Sequence, residues 1–421
     1  MITVVGLDGS PPPPLALERL AEASLVVGGA RHLAAVTPPP SARTVVMGDL
    51  ARALDAIDGA DGDVVVLASG DPGFFGIVRA LRERGHRPEV LPALSSVAQA
   101  FARAGLTWDD ALVVSAHGRD LRRAVNACRA HPKVAVLTAP GAGPAELGRA
   151  LFPQSPRSFV VCEDLGGPDE RVLRCRPAEA TTRTWRDPNV VLVLDDGRAD
   201  GPRGWIAGAR PGPSSWALPE DAFEHRNSVV TKAEVRAFAL ARLGPRVGDM
   251  VWDIGAGSGS VAIECARFGA AAVAVERDAE SCDRIRANVR AHGVRVAVSR
   301  GEAPAVLDHL PEPDAVFVGG GGPEVVRACA SRALRCVVVA LAAVERVRPA
   351  MDALTAGGLT AQAVQIQASR LSPLPGDVHR LAAANPVFVV WGERDAVPPP
   401  VRAARPSRRP QVLARLPEVD E

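Results

Sequence analysis

The first 200 residues alternate short apolar runs with amphipathic stretches, which is the pattern of an α/β protein. Apolar runs of strand length lie at 2–6, 24–28, 44–47, 63–68 and 88–91, and helical periodicity lies at 14–22, 49–57, 74–84 and 95–104. The pattern restarts after Trp108, where strands are predicted at 112–115, 134–137, 158–162 and 190–194. Residues 1–200 are therefore predicted to form two successive α/β subdomains with largely parallel sheets.

A further α/β unit is predicted over 219–395, after a linker at 201–218 that is rich in Gly, Pro and Ser. Its strands are predicted near 250–254, 271–276, 294–298, 314–318, 335–340, 361–368 and 386–392. Prolines and arginines dominate residues 396–421. Because such a composition cannot build a core, we expect a disordered tail there.

Composition narrows the class of protein. With 421 residues and an apolar share of 47%, the chain can build several packed cores. No apolar run approaches the ~18 residues of a membrane span, and the opening Met-Ile-Thr-Val-Val-Gly predicts a strand rather than a signal peptide. The seven cysteines form no C-x-x-C pair, which favours reduced thiols over a metal site. We expect a cytoplasmic protein with no metal and no membrane partner.

The most informative segment is residues 250–259, which predict a strand and a tight turn that lead into a helix. The strand ends in Asp253, three alternating glycines follow (Gly255, Gly257 and Gly259), and a helix opens at Ser260. Glycine allows a sharp turn and a close approach of backbone to a ligand, and the first N–H groups of the helix point into that turn. The next strand ends in Glu276, which is placed to accept hydrogen bonds from ribose hydroxyls.

The glycine spacing indicates which cofactor this turn binds. A dinucleotide site uses G-x-G-x-x-G, whereas this turn has G-x-G-x-G directly after D-x. It resembles the first motif of the seven-strand, Rossmann-like S-adenosylmethionine (SAM) methyltransferases. The resemblance implies that SAM lies against Asp253, Gly255, Ala256, Gly257, Ser258, Gly259 and Glu276. A dinucleotide site and a purely structural turn remain as alternatives.

Three loops of the first half are predicted at one edge of its sheet, since ligands of open parallel sheets lie beyond the carboxyl ends of the strands. They are residues 6–10, 69–76 and 92–96. Singly, such loops are common β-turns. In this order, and with residues 27–32 and 115–119, they resemble the tetrapyrrole methylases, and among them the CbiE family, over residues 1–200. The resemblance implies a SAM site at Ser69, Gly70, Asp71, Ser95 and Ser96.

The first half departs from the tetrapyrrole methylase pattern at two places. The glycine-rich loop after the first strand is shorter than usual and runs into four prolines at 11–14. Position 75 is Phe, where that family often has Tyr. The departures concern the fit of the first loop to SAM, at Asp8 and Gly9.

The second half resembles the CbiT family in five ordered motifs over 219–393. Thr-Lys-Ala-Glu-Val-Arg at 231–236 precedes the glycine turn, and Gly-Glu-Ala-Pro at 301–304 and Val-Phe-Val-Gly-Gly-Gly-Gly at 316–322 follow it. The resemblance implies SAM contacts at Thr231 and Ala303, room for a large flat substrate at Gly319, Gly320 and Gly321, and an antiparallel last pair of strands. The alternatives are that Thr231 caps a helix in a capping box with Glu234 and that the glycine run is a flexible loop.

A fusion of these two halves resembles the CobL-type methyltransferases. That resemblance implies two SAM sites, methylation of precorrin-6Y at carbons 5 and 15 and decarboxylation of its ring C acetate, giving precorrin-8X. It assigns carbon 15 and decarboxylation to the second half and carbon 5 to the first, in a chain that forms homo-oligomers. A substrate with many carboxylates predicts arginine contacts, with Arg31, Arg119 and Arg226 as candidates.

No catalytic side chain is assigned from the sequence, because a sulfonium methyl is already activated and needs mainly in-line positioning. His117 and His225 are candidate proton donors, against a structural role for each. An RNA methyltransferase is the main rival, but it predicts a basic face with aromatic residues, and the net charge is +1 with 4% aromatic residues. A dinucleotide-dependent oxidoreductase and a non-catalytic SAM-binding module are further alternatives.

Overall fold

The computed structural model describes residues 1–153, 155–198, 206–208, 212–226 and 230–394. The predicted tail at 396–421 and much of the predicted linker at 201–218 lie outside these residues. In the part of the chain so described, no helix combines the length and apolar character needed to cross a bilayer.

Residues 2–104 form a parallel five-stranded sheet with helices on its faces. The strands are β1 (Ile2–Leu7), β2 (Leu25–Gly28), β3 (Arg43–Val46), β4 (Val64–Ser69) and β5 (Glu89–Leu91), and the helices are α1 (Pro14–Ala21), α2 (Ala30–Ala34), α3 (Leu50–Asp58), α4 (Ile77–Glu83) and α5 (Ser96–Ala104). The order is β3-β2-β4-β1-β5, with every pair parallel. Helix α2 was not predicted, because its five residues bury no apolar face that periodicity could reveal.

Residues 112–194 form a second sheet, of order β6-β7-β10-β8-β9. Its elements are β6 (Leu112–Ser115), α6 (Leu121–Ala130), β7 (Lys133–Leu137), α7 (Pro144–Leu151), β8 (Ser158–Glu163), β9 (Arg171–Cys175), α8 (Pro177–Ala180) and β10 (Asn189–Leu194). Only β6 and β7 pair in parallel, so the prediction of a largely parallel sheet is wrong here. The connection from β8 to β9 is too short for a crossover helix and makes the unpredicted β9 a hairpin partner of β8.

The second half contains the predicted seven-stranded sheet, of order β13-β12-β11-β14-β15-β19-β16. Its elements are α9 (Ala233–Leu243), β11 (Met250–Ile254), α10 (Ser260–Arg267), β12 (Ala271–Glu276), α11 (Ala279–Ala291), β13 (Ala297–Arg300), β14 (Ala315–Val318), α12 (Pro323–Arg332), β15 (Cys336–Leu341), α13 (Val347–Ala356), β16 (Thr360–Ile366) and β19 (Val387–Glu393). The last two strands are antiparallel to their neighbours. A separate hairpin, β17 (Ser369–Leu374) with β18 (Val378–Ala383), was not predicted.

The central strands β11, β12, β14 and β15 of the seven-stranded sheet are buried on both faces, which explains why they are nearly continuously apolar. Trp252, in the central strand β11, is fully buried, and its indole N–H donates to the Pro311 carbonyl. Met250 and Ile254 face one core with Trp252, whereas Val251 faces the other, with α9. This packing fixes the position of the carboxyl end of β11, where the glycine turn begins.

The two halves meet at the amino ends of β11 and β14. Helix α6 of the first half packs against β12. Arg122 of α6 donates to both carboxylate oxygens of Asp314 at 2.7 and 2.9 Å, and Asp314 also accepts from the Met250 N–H. A second bidentate pair joins Arg295 to Asp195 at 2.7 and 2.8 Å. The first half therefore lies against the edge of the sheet opposite to the glycine turn.

Candidate functional sites

The turn after β11 has the backbone that its glycines predict. Gly255, Gly257 and Gly259 have φ values of +71°, +57° and +75°, a region that side chains other than glycine rarely enter. A Cβ at Gly255 would lie 2.9 Å from the backbone nitrogen of Gly320, in the loop after β14. The first glycine is thus required both by its conformation and by the glycine run packed against it. Helix α10 begins at Ser260, as predicted.

Glu276 is held in place by the backbone around it. One carboxylate oxygen accepts from the Gly257 N–H at 2.9 Å, and the other accepts from the N–H groups of Arg277 and Asp278 at 2.9 and 3.0 Å. A carboxylate oxygen can accept more than one hydrogen bond. Both oxygens can therefore accept further hydrogen bonds, and contact with ribose hydroxyls stays a prediction for Glu276.

Two adjoining cavities lie at the carboxyl edge of the seven-stranded sheet. The first, of about 480 Å³, is lined by Gly255, Glu276, Ala303 and the glycine run, among others. The second, of about 380 Å³, is lined by the ends of β14 and β15 and the loop after β15. Both are lined by Gly320, Gly321 and Arg346. The structure thus brings together predicted residues that are far apart in sequence.

Asp253 lies in β11, just before the turn, and does not line the cavity. One of its carboxylate oxygens accepts from the Ala262 N–H of α10 at 2.9 Å, and the other is buried without a hydrogen-bond partner. Burial raises the pKa of Asp253 to about 7, and the charge of Glu276 adds to this effect. The acid predicted beside the cofactor therefore contacts the first turn of α10 and does not line the cavity.

The capping alternative for Thr231 is wrong. Helix α9 has Lys232 at its N-cap without a side-chain cap, and the Glu234 carboxylate pairs with Arg370 instead. The Thr231 carbonyl accepts a hydrogen bond from Arg236, and Thr231 is not in the cavity lining.

Ala256 and Ser258 lie in the glycine turn but outside the cavity lining, and Ser258 is buried. Arg226 is exposed, beside residues 227–229, which lie outside the described part of the chain. The structure brings neither Arg226 nor Thr231 to the two cavities. His225 has a structural contact, between its Nδ1 and the Phe223 carbonyl at 2.9 Å.

In the first half, the three predicted loops do meet. The Gly70 N–H donates to the Leu7 carbonyl at 2.7 Å, and the Ala93 N–H donates to the Gly70 carbonyl at 3.2 Å. A Cβ at Gly6 would lie 2.0 Å from the Gly70 carbonyl oxygen, so the loops after β1 and β4 touch through bare backbone. Gly70 packs in turn against Ser95 and Ser96. Only glycine permits this degree of approach.

The shortened loop after β1 is closed by other contacts. The Asp8 carboxylate accepts from the N–H groups of Ser10 and Leu94 at 3.0 and 3.1 Å, and its hydrogen bonds, led by that from the Ser10 hydroxyl, lower the pKa of Asp8. Gly9 has φ +92°, and a Cβ there would lie 1.9 Å from the Gly166 carbonyl oxygen. The loop is therefore fixed to the connection between β8 and β9.

Polar side chains surround these loops. Ser69 Oγ lies 2.6 Å from a guanidinium nitrogen of Arg31 and 3.0 Å from Nε2 of His32. Burial, followed by the charge of Arg31, lowers the pKa of His32 to about 4, so this imidazole is neutral at physiological pH. Arg119 lies over the Phe75 ring, 5.5 Å from its centroid. Two of the three predicted arginines, Arg31 and Arg119, therefore lie in the region of the loops. Arg31 contacts Ser69, which is a predicted cofactor residue.

Two of the predicted polar residues have local structural roles. Ser95 Oγ accepts from the Ala98 N–H and caps α5, and the Asp71 carboxylate accepts from the Gly73 N–H. These bonds shape the loops, and the backbone N–H and carbonyl of Gly70 are likewise used within the loop cluster, by Leu7 and Ala93.

Family models match each half of the chain. The model of the family "Tetrapyrrole (Corrin/Porphyrin) Methylases" matches residues 7–181, and the model of the family "Precorrin methyltransferase domain" matches residues 221–393. A precorrin-6Y C(5,15)-methyltransferase [decarboxylating] from Sinorhizobium sp is 39% identical over 322 residues, 72% of this chain and 74% of the relative. The chain belongs to this family.

Two shorter relatives resemble parts of this family member. A probable cobalt-precorrin-6B C(15)-methyltransferase (decarboxylating) from Pyrobaculum calidifontis is 37% identical over 41% of this chain and 93% of its own length. A cobalt-precorrin-7 C(5)-methyltransferase from Salmonella typhimurium is 33% identical over 47% of this chain and 100% of its own length. These two relatives are named for different activities and are separate, shorter proteins.

Proposed function

We propose that this chain methylates precorrin-6Y at carbons 5 and 15 and removes the carboxyl group of the ring C acetate, giving precorrin-8X. The observation that carries the proposal is the presence of both family domains in one chain, each with a loop cluster or cavity at the carboxyl ends of parallel strands. Each half would bind one SAM, which supplies an activated methyl group.

We assign carbon 15 and decarboxylation to the second half and carbon 5 to the first. The relatives of single-domain length support a division, since each is named for one of the two methylations and only the C(15)-methyltransferase is named as decarboxylating. The fit of the second half to SAM is supported by Glu276 and by the cavity that it shares with Ala303.

The residues of the second half would act mainly by positioning and by excluding water. Glu276 holds the ribose end, and the bare backbone of Gly320 and Gly321 leaves room for a flat macrocycle next to the methyl group. The second cavity is lined mostly by Gly, Ala, Val and Leu. Such a lining would exclude water from the acetate that loses carbon dioxide. The protonated conjugated system of the macrocycle would accept the electron pair of the C–C bond that breaks.

Incubation with precorrin-6Y and isotopically labelled SAM, followed by mass spectrometry, tests the proposal. The expected product has two labelled methyl groups and has lost carbon dioxide. An unchanged mass with a substrate that a known family member converts would overturn the proposal.

Glu276→Ala tests the division of labour. Loss of the ribose hydrogen bonds is expected to weaken SAM binding at the second site about 10- to 100-fold, and to abolish carbon-15 methylation while one site per chain still binds SAM. Glu280→Ala is the matched control, because Glu280 is an exposed acid in the first turn of α11. Calorimetric titration that showed both sites lost in Glu276→Ala would contradict two independent sites.

We propose in addition that the chain acts in the cytoplasm as a homo-oligomer, without nucleic acid or membrane. All seven cysteines are free and buried, which suits a reducing compartment. Leu371 and Leu381 face each other on the hairpin β17–β18 and are 71% and 70% exposed, as expected of a surface that a second copy covers. Light scattering should show a smaller assembly for Leu371→Lys/Leu381→Lys, and an unchanged mass would contradict this surface.

A further inference from the structure

Arg346 lies where the two cavities of the second half join. It ends a short 3-10 helix, Val344–Arg346, that follows β15 and leads into α13. It lines the cavity that contains Glu276 and also the cavity beyond the glycine run. Among the residues that the structure describes, no other charged residue lines that second cavity, and its remaining lining is Gly, Ala, Val and Leu.

The guanidinium of Arg346 makes no hydrogen bond or ion pair with another residue in the described part of the chain. The other charged residues that line the first cavity all have hydrogen-bond or ion-pair partners. Glu276 accepts three backbone hydrogen bonds, and Arg277 and Glu302 pair with each other at 3.3 Å. Arg346 therefore presents an uncompensated positive charge at the junction, which an anionic group of a ligand would neutralise.

The sheet order indicates which ligand carries that group. Glu276 at the end of β12 and Ala303 after β13 fix the nucleoside end on one side of β11, whereas β14 and β15 lie on the other side. Arg346 follows β15, so it lies beyond the glycine run, on the side of the methyl acceptor. This side is lined by the ends of β14 and β15 rather than by the glycine turn.

We propose that Arg346 binds a carboxylate of the tetrapyrrole and thereby positions the macrocycle for the second half, an inference that rests on the proposed function. The carboxylate is one that the product retains. Pairing with a guanidinium stabilises a carboxylate, whereas loss of carbon dioxide requires that the charge leave the carboxylate. The acetate that reacts therefore lies against the apolar part of the cavity, away from Arg346.

Steady-state kinetics of carbon-15 methylation by the full chain test this role. Arg346→Ala is expected to raise KM for the tetrapyrrole about 10- to 100-fold, with kcat for methylation and decarboxylation and the dissociation constant of SAM changed less than about twofold. Arg346→Lys, which keeps the charge but not the fork of donors, should recover part of the lost affinity. Arg348→Ala is the control, since Arg348 lies only two residues further on, in the first turn of α13, and pairs with Asp352 on the exposed surface.

An unchanged KM for the tetrapyrrole in Arg346→Ala would overturn the proposal, whether or not kcat falls. Weaker SAM binding together with that unchanged KM would place the methionine carboxylate at Arg346 instead. Wild-type chain is assayed in parallel with the same substrate. Absence of methylated product from wild type would contradict the proposed function itself, which separates the two failures.

Discussion

At the scale of single residues, Asp253 differs from an ordinary acid beside a ligand. Its carboxyl group is fully buried, with one oxygen bonded to α10 and the other without a partner. The pKa of about 7 arises first from burial, because a low dielectric disfavours the charged form. The group therefore titrates near physiological pH instead of being permanently ionised.

This titration predicts proton release on SAM binding. The folded pKa lies above the ordinary value of 3.8, so at pH 7 a large fraction of the chains without ligand hold a proton on Asp253. A cationic ligand next to the turn favours the ionised form, so binding at pH 7 should release part of a proton, and binding at pH 9 should release none from this group. Calorimetry in two buffers of different ionisation enthalpy measures it.

Asp253→Asn provides the control for that measurement. The variant keeps an acceptor for the Ala262 N–H but cannot titrate, so its SAM binding should release fewer protons at pH 7 than that of wild type. Equal proton release by the two proteins would show that another group titrates.

The residues of the second site differ in how far the sequence could reveal them. Gly255 and Glu276 were predictable, because their roles follow from backbone conformation and from the ends of successive strands. Arg346 was not, because its place depends on the loop after β15 folding back beside Gly320. An arginine near a helix start has no distinguishing pattern in a chain with many arginines. The missing hydrogen-bond partner of Asp253 likewise appears only in three dimensions.

At the scale of elements, we expect the proposed first site to depend on the loop after β1. Gly9→Ala would place a methyl group against the Gly166 carbonyl in a left-handed backbone, which costs about 1–3 kcal/mol for the conformation alone before the clash is counted. We expect loss of SAM binding and carbon-5 methylation in the first half, with carbon-15 methylation retained. Product analysis by mass spectrometry distinguishes these outcomes.

Gly105→Ala is the matched control for this substitution. Gly105 also has a left-handed backbone, with φ +67°, but a Cβ there would meet no atom within 4 Å. It should keep both methylations with a modest loss of stability. If Gly9→Ala kept carbon-5 methylation, the fixed loop would not be needed for the first site.

The elements that the sequence missed are mainly hairpins. Strand β9 pairs with β8 through a short connection, and β17 pairs with β18. Pro373 within β17 argues against a strand, although Gly376 and Asp377 supply a turn with positive φ. Periodicity succeeds for strands buried on both faces and fails for exposed ribbons, because an exposed ribbon has no buried face to impose alternation.

At the scale of the whole molecule, the two sites lie on opposite sides of the interface between the halves. Arg122 contacts Asp314 at the amino ends of β11 and β14, whereas the second site lies at their carboxyl ends. A five-residue strand spans about 16 Å. Arg119, near the first site, lies only three positions before Arg122. The first site is therefore near the interface, and the second is beyond the sheet.

This arrangement predicts that the singly methylated intermediate leaves one site before it enters the other. A mixture of Glu276→Ala chains, deficient at the second site, with Gly9→Ala chains, deficient at the first, should therefore form doubly methylated product. The rate at which doubly methylated product forms should rise with the concentration of the Gly9→Ala chains. It should be the same for freshly mixed and pre-incubated chains, which excludes subunit exchange as the cause. If each variant performs its single methylation but the mixture yields no doubly methylated product, the intermediate passes within one chain and the separation of the sites does not govern its path.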